Sequence, residues 1–183
     1  YKIPVVPIGA RTGLSGGILA VHKGIGLSLE RLNIIEYIDE KNLQVITQPG
    51  VITEVLQKAV AEKGLFYPVD PSSKGSCFIG GNIAENSGGA RAVKYGVTQD
   101  YVLNLEVVLP NGEIIYTGAN TLKNATGYNL TQLFVGSEGT LGIVTKIILK
   151  LIPAVKSNVL MLVPFYKMEE AAEAVSAIFR AGI

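Results

Sequence analysis

The sequence predicts an α+β fold, and three observations carry that reading. Residues 103–117 alternate apolar and mostly polar positions around Asn111-Gly112, the pattern of an antiparallel hairpin. Two stretches, 53–63 and 168–180, repeat their apolar residues at helical spacing. Glycine makes up 21 of the 183 residues and clusters between short β-branched runs, which puts backbone where side chains would obstruct. With 48% hydrophobic and 17% charged residues the chain can bury a substantial core, and its length suits one domain or one domain plus a piece of another.

Taken in order, Ile3–Ile8 is short and β-branched and runs as a strand into a glycine-rich turn at Gly9–Gly17. Further strands are predicted at Gly26–Leu29, Ile34–Ile38 and Leu43–Thr47. Pro49-Gly50 breaks the chain before a helix, with Thr53 as N-cap, Glu54 in the first turn and Val55, Leu56, Ala59 and Val60 on one face; Gly64 ends it. Residues 67–99, with Pro68, Pro71 and five glycines between Gly75 and Gly89, read as a long loop, and a loop of that length in a compact domain is usually functional. The hairpin follows, with Leu103, Leu105, Val107 and Leu109 on its buried face and Glu113–Thr117 returning. A short helix at Leu130–Phe134 leads to the turn 136–142 and a long strand, Ile143–Ile152. Beyond Pro153 a strand at Asn158–Val163 and a helix at Met168–Arg180, with Ala171, Ala174, Val175, Ile178 and Phe179 facing inward, are predicted. A lone strand and helix cannot bury that apolar face, so residues 1–154 are expected to form one domain and 155–183 the start of a truncated second one.

A net charge of +1 with no run of like charge argues against nucleic acid or acidic lipid as the main partner. No apolar stretch reaches the ~18 residues of a membrane span, and no signal peptide precedes the first strand. Cys77 is the single cysteine, which excludes an intramolecular disulfide and fits a cytoplasmic location. His22 is the single histidine, and no cluster of metal-ligating residue types accompanies it, so it is assigned no role.

Three stretches carry chemistry. In the loop from Pro7 to Gly17, successive amides in a glycine-rich turn supply converging N–H donors for a diphosphate, Thr12 and Ser15 add hydroxyls, and Arg11 adds a charge. An ordinary strand-to-strand turn remains the alternative. No P-loop string is present, the residues after Gly17 read as strand where a Rossmann fingerprint needs helix, and Gly13–Gly17 fits G-x-S-x-G but lacks the following helix and late histidine of a serine hydrolase. In residues 75–96, Gly80-Gly81 and Gly88-Gly89 bracket Asn82 and Asn86, a composition suited to a flat heteroaromatic ring lying on backbone. A structural loop is the alternative there, and Cys77 reads as a small packed residue. In residues 136–142 Glu138 offers an acceptor to a cofactor or to backbone, with a helix C-cap and turn as the alternative.

Together the three stretches resemble the FAD domain of the vanillyl-alcohol-oxidase-type (PCMH-type) flavoproteins. The branch it resembles holds glycolate oxidase FAD subunits, D-lactate dehydrogenases and D-2-hydroxyglutarate dehydrogenases, and Lys74–Cys77 leans toward the last. The resemblance implies two α+β lobes with extended FAD between them, followed by an antiparallel-sheet substrate domain. It implies that Ile8, Gly9, Ala10, Arg11, Thr12, Gly13 and Ser15 hold the diphosphate. Gly80, Gly81, Asn86, Gly88 and Gly89 would approach the flavin and its ribityl chain, with Gly75 and Ser76 of the same segment in the contact set. Glu138, Gly142 and Ile143 complete it, the last two near the adenine end. Ile8 stands where the family has arginine and Arg11 where it has glycine, which conflicts with any loop geometry needing positive φ at residue 11. Members that attach FAD covalently carry histidine at the place of Thr12, so the cofactor is expected to be non-covalent. The implied reaction is oxidation of a small D-2-hydroxy acid to the 2-oxo acid, with electrons passed to an acceptor or partner subunit. The base and any metal ligands would lie outside this chain. The alternative is an FAD-binding module whose partner chain supplies the catalytic groups.

Overall fold

A computed structural model describes residues 3–157 and 159–182. Strands β1 (Val5–Ile8) and β2 (Ile25–Ser28) pair in parallel as a small two-stranded sheet. The main sheet is antiparallel throughout, in the order β3 (Ile35–Asp39), β4 (Gln44–Thr47), β8 (Ile143–Lys150), β6 (Val102–Val108), β7 (Ile114–Tyr116). A third pair joins β5 (Leu65–Phe66) to β9 (Ile152–Pro153). The helices are α1 (Thr53–Ala61), α2 (Ile79–Glu85), α3 (Ala92–Tyr95), α4 (Leu130–Phe134) and α5 (Met168–Arg180). This is the α+β class the sequence predicts.

The core lies between one face of the main sheet and helices α1 and α2. Val45, Leu105, Val107, Ile147 and Leu149 from the strands meet Leu56 and Val60 of α1 and Ile79 and Ile83 of α2, and all nine are fully buried. Each such side chain contributes about 1.5–3 kcal/mol of apolar burial, which fixes both helices on the sheet. Among the described residues no helix is long and apolar enough to cross a membrane.

Six expectations need correction. Residues 67–99 are not one loop, because Ile79–Glu85 form α2. Two glycines weaken a helix by about 1 kcal/mol each, but tertiary bonds close both ends of this one. At its start Ile79 N–H donates to the Val51 carbonyl (2.9 Å) and Gly80 N–H to that of Pro49 (2.8 Å). At its end Gly136 and Glu138 N–H groups donate to Ile83 and Ala84 (2.9 and 3.0 Å). On α1 the N-cap is Ile52, with no side-chain cap, and Thr53 is the first helical residue. Its buried face runs Thr53, Leu56, Val60, while Val55 points to solvent. In β6 a register shift between Val102 and Asn104 brings Val102, Asn104, Leu105 and Val107 inside and leaves Leu103 and Leu109 only half-buried. The predicted strand over 158–163 is not formed: residues 159–163 are exposed and outside any strand, having none to pair with, and Asn158 lies outside the described residues. Helix α5 spans the predicted residues, but Val175, Ile178 and Phe179 are exposed rather than packed.

Candidate cofactor site

A cleft of about 400 Å³ opens where the turn after β1, the helix α2 and the turn before β8 converge. Sites of this size hold small molecules and cofactors.

The first wall is the loop after β1. Among the described residues, no backbone N–H from Gly9 to Ile18 donates to a main-chain or side-chain acceptor. These residues are half-buried or exposed, so their amides are free for water or a ligand, and a run of such donors in a loop lining a cleft suits an anion with several acceptor oxygens. Gly16 has φ +78° and Arg11 has φ +62°. Thus Arg11 adopts the left-handed conformation that glycine adopts without penalty, and the conflict foreseen at this position is met by strain rather than by a different turn. Holding a non-glycine residue there costs about 1–2 kcal/mol. Ser15 Oγ donates to Glu85 Oε1 at 3.0 Å, tying the loop to α2.

The second wall is α2. Phe78, Gly81 and Glu85 sit at positions i, i+3 and i+7 and form the accessible stripe of the helix and its N-cap along the cleft, while Asn82 and Ile83 border it as buried residues and Ile79 lies in the core. A Cβ on Gly81 would meet nothing within 4 Å, so backbone is open to a ligand there. A Cβ on Gly80 would lie 2.6 Å from Pro49 Cβ, so that glycine serves the contact with the chain before α1. Asn82 is buried beneath the wall. Its Oδ1 accepts from Thr53 Oγ1 at 2.5 Å, and its Nδ2 donates to Cys77 Sγ (3.4 Å) and Ser87 Oγ (3.3 Å). The Cys77 thiol is therefore a packed, hydrogen-bonded group, 3% exposed.

The third wall is the turn before β8. Glu138 and Gly139 have φ +51° and +75°, and a Cβ on Gly139 would lie 2.7 Å from Pro7 Cγ, which seats this turn against the first loop. A Cβ on Gly142 would lie 2.6 Å from Val107 Cγ1, so Gly142 lets the turn settle on β6. Among the described lining residues Arg11 is the only cationic side chain, alongside two carboxylates, Glu85 and Glu138.

The cleft brings together Gly9, Ala10, Arg11, Thr12, Gly13 and Ser15 from the first stretch, Gly80 and Gly81 from the second, and Glu138, Gly142 and Ile143 from the third. Six expected residues do not line it. Ile8 is in β1, where its carbonyl accepts from Leu29 N–H (3.0 Å). Gly75 and Ser76 belong to the turn before α2, and Ser76 Oγ bonds back to the Ser73 carbonyl (3.2 Å). Asn86 caps α2 with φ +48°, and its side chain exchanges hydrogen bonds with Gln99 (3.0 and 2.9 Å). A Cβ on Gly89 would collide with the Asp70 carbonyl, so that glycine is required by chain packing, and one on Gly88 would lie a tight 3.2 Å from Val97 Cγ1. Phe78 and Glu85 line the cleft in addition to the expected residues. Their i, i+7 spacing with Gly81 at i+3 is the helical signal in the sequence, and the paired glycines between them mask it as loop.

A family profile described as FAD binding domain matches residues 1–118, which include the first two walls. Over 183 residues the chain is 52% identical to the glycolate oxidase subunit GlcD of Bacillus subtilis (strain 168), covering 100% of this chain and 39% of that protein. It is 47% identical over 178 residues to a D-lactate dehydrogenase of Anaerostipes hadrus, covering 97% and 37%. It is 42% identical over 151 residues to a D-2-hydroxyglutarate dehydrogenase of Stutzerimonas stutzeri (strain A1501), covering 82% and 32%. The solved structure of an alkyldihydroxyacetonephosphate synthase superposes with TM-score 0.82 at 25% identity, over 97% of this chain and 32% of that one. The chain thus spans less than half the length of each of these proteins.

Proposed function

This chain belongs to the FAD binding domain family, and from that premise we propose that it is the cofactor-holding part of a dehydrogenase that oxidises a D-2-hydroxy acid of the glycolate, D-lactate or D-2-hydroxyglutarate type. The activities named for the three relatives support the reaction class. The observation that carries the local assignment is the run of unpartnered amides from Gly9 to Ile18, whose chemistry suits the FAD diphosphate.

In this reading the amides of Gly9–Ser15 bind the diphosphate, with the Thr12 hydroxyl and the Arg11 charge beside them. The open backbone at Gly81 and the Phe78 side chain take the flavin side, and Gly142 and Ile143 take the adenine side. Thr12 offers no nitrogen for a bond to the flavin, so the cofactor dissociates. When bound, FAD supplies the acceptor for the hydride leaving the α-carbon of the hydroxy acid. This chain's own part is to hold, orient and shield. Residues 155–183 are proposed to begin a substrate domain whose remaining elements cover the exposed apolar side of α5 and supply the base and the carboxylate-binding groups. The word "subunit" in one relative's name supports a partner chain or electron acceptor in addition. The lone reduced thiol of Cys77 supports a cytoplasmic location.

The test is titration of the flavin-free chain with FAD, followed by flavin fluorescence and visible absorption, with FMN as control. Saturable binding of FAD and not FMN, with all flavin released on denaturation, is the expected result. Equal binding of FMN would remove the adenine half from the site, and flavin retained by the denatured chain would overturn the dissociable assignment.

A further inference from the structure

Glu85 has no obvious reason to be where it is. It is the last residue of α2, where the helix presents its negative end and a carboxylate is disfavoured. No lysine or arginine pairs with it among the described residues. Its Oε1 instead accepts from Ser15 Oγ at 3.0 Å and lies 3.1 Å from where a Cβ on Gly13 would stand, so its carboxylate rests against the middle of the free-amide loop. Glu138, whose carboxylate lies by Gly17 of the same loop, adds a second negative charge, and Arg11 supplies the single positive one among the described lining residues.

A loop of unpaired amides is indiscriminate by itself, because any diphosphate satisfies it. Two anions cannot share the same donors without strong repulsion. We propose that Glu85 is a specificity-determining residue of the cofactor cleft: its carboxylate accepts from the Ser15 hydroxyl and stands against Gly13, so that a diphosphate on the loop binds only by displacing this charge. A ligand with ring systems on both ends gains enough from the rest of the cleft to do so. A diphosphate with the adenosine half alone does not. This rests on the reading of the cleft as an FAD site.

The experiment compares FAD, ADP and riboflavin on the flavin-free chain and on Glu85→Gln, Ser15→Ala and the double variant, with matching thermal unfolding as the control for folding. Glu85→Gln keeps the side-chain shape and removes the charge. It is expected to bind ADP about tenfold more tightly, equivalent to ~1.4 kcal/mol, to bind FAD more tightly as well, and to leave riboflavin unchanged. In the Ser15→Ala background, where the carboxylate is no longer held at the loop, the gain from Glu85→Gln should shrink. If the unmodified chain binds FAD while Glu85→Gln gains nothing for ADP, Glu85 does not guard the loop and the proposal fails alone. If Glu85→Gln weakens FAD, the carboxylate is a cofactor ligand, which overturns the proposal in the opposite sense. If the unmodified chain binds no FAD, the cleft assignment falls and this proposal falls with it.

Discussion

Glycines 81 and 89 have the same side chain and opposite reasons for lacking a larger one. A Cβ at residue 81 would stand in open space on a helix, whereas at residue 89 it would be driven to 1.9 Å from the Asp70 carbonyl oxygen. Gly81→Ala is therefore expected to raise stability by about 0.5–1 kcal/mol, because alanine loses less backbone entropy in a helix. It is also expected to weaken FAD binding by about tenfold. Gly89→Ala is expected to lower stability by about 1–3 kcal/mol through overpacking against backbone, with FAD affinity of the folded fraction unchanged. Denaturant unfolding and flavin titration on the two variants check both. Unchanged FAD affinity in Gly81→Ala would remove the cofactor from that wall. Composition alone put both residues in one category, since a glycine in the sequence does not say whether it makes room for the chain or for a ligand. Arg11 makes the same point from the other side: the resemblance identified the strained position, and only the loop's dihedral angles reveal that the strain is accepted.

At the scale of elements, legibility follows how local the determinants are. The hairpin of β6 and β7 was readable because Asn111-Gly112 sets its turn, with Gly112 at φ +88°. A Cβ there would meet nothing within 4 Å, so the cost of Gly112→Ala is conformational alone. About 1 kcal/mol of lost stability is expected from the left-handed backbone, read as a lower midpoint in urea with unchanged FAD binding. A full loss of folding would instead mean that the turn nucleates the whole sheet. Helix α4 was readable for the same local reason, with Asn129 Oδ1 capping the Gln132 N–H at 3.1 Å. Helix α2 was not readable. Its glycines oppose a helix locally, and its partners, at Val51, Pro49, Gly136 and Glu138, come from distant parts of the chain. The stretch at 159–163 failed in the reverse direction, since β-branched residues favour a strand but cannot form one without a neighbour.

On the scale of the whole molecule, Tyr67 shows how burial governs response to pH. Its ring is fully buried and packs edge-on against Tyr101, and among the described residues its hydroxyl has no hydrogen-bond partner. Burial pushes the phenol well above its ordinary value, so the folded chain keeps the proton that the unfolded chain releases above a pH of about 10. Stability is therefore intact below that pH and falls as the pH rises beyond it, by up to ~1.4 kcal/mol per pH unit for one proton. Tyr67→Phe should fold as well as the parent at pH 7 and lose less stability between pH 9 and pH 11, as followed by urea unfolding. An equal loss in both would place the alkaline sensitivity elsewhere. The sequence by itself determined the α+β class, the hairpin, most strand positions and the three glycine-rich stretches, since turn residues, residue periodicity and motif spacing are local properties. Only the tertiary structure decided that α2 is a helix with a cleft-facing stripe, that Asn86 bonds Gln99 and Gly89 packs on the Asp70 carbonyl, and that Glu85 rests on the loop. Those outcomes depend on contacts between segments up to 70 residues apart, and the geometry of such contacts is fixed only when the core closes.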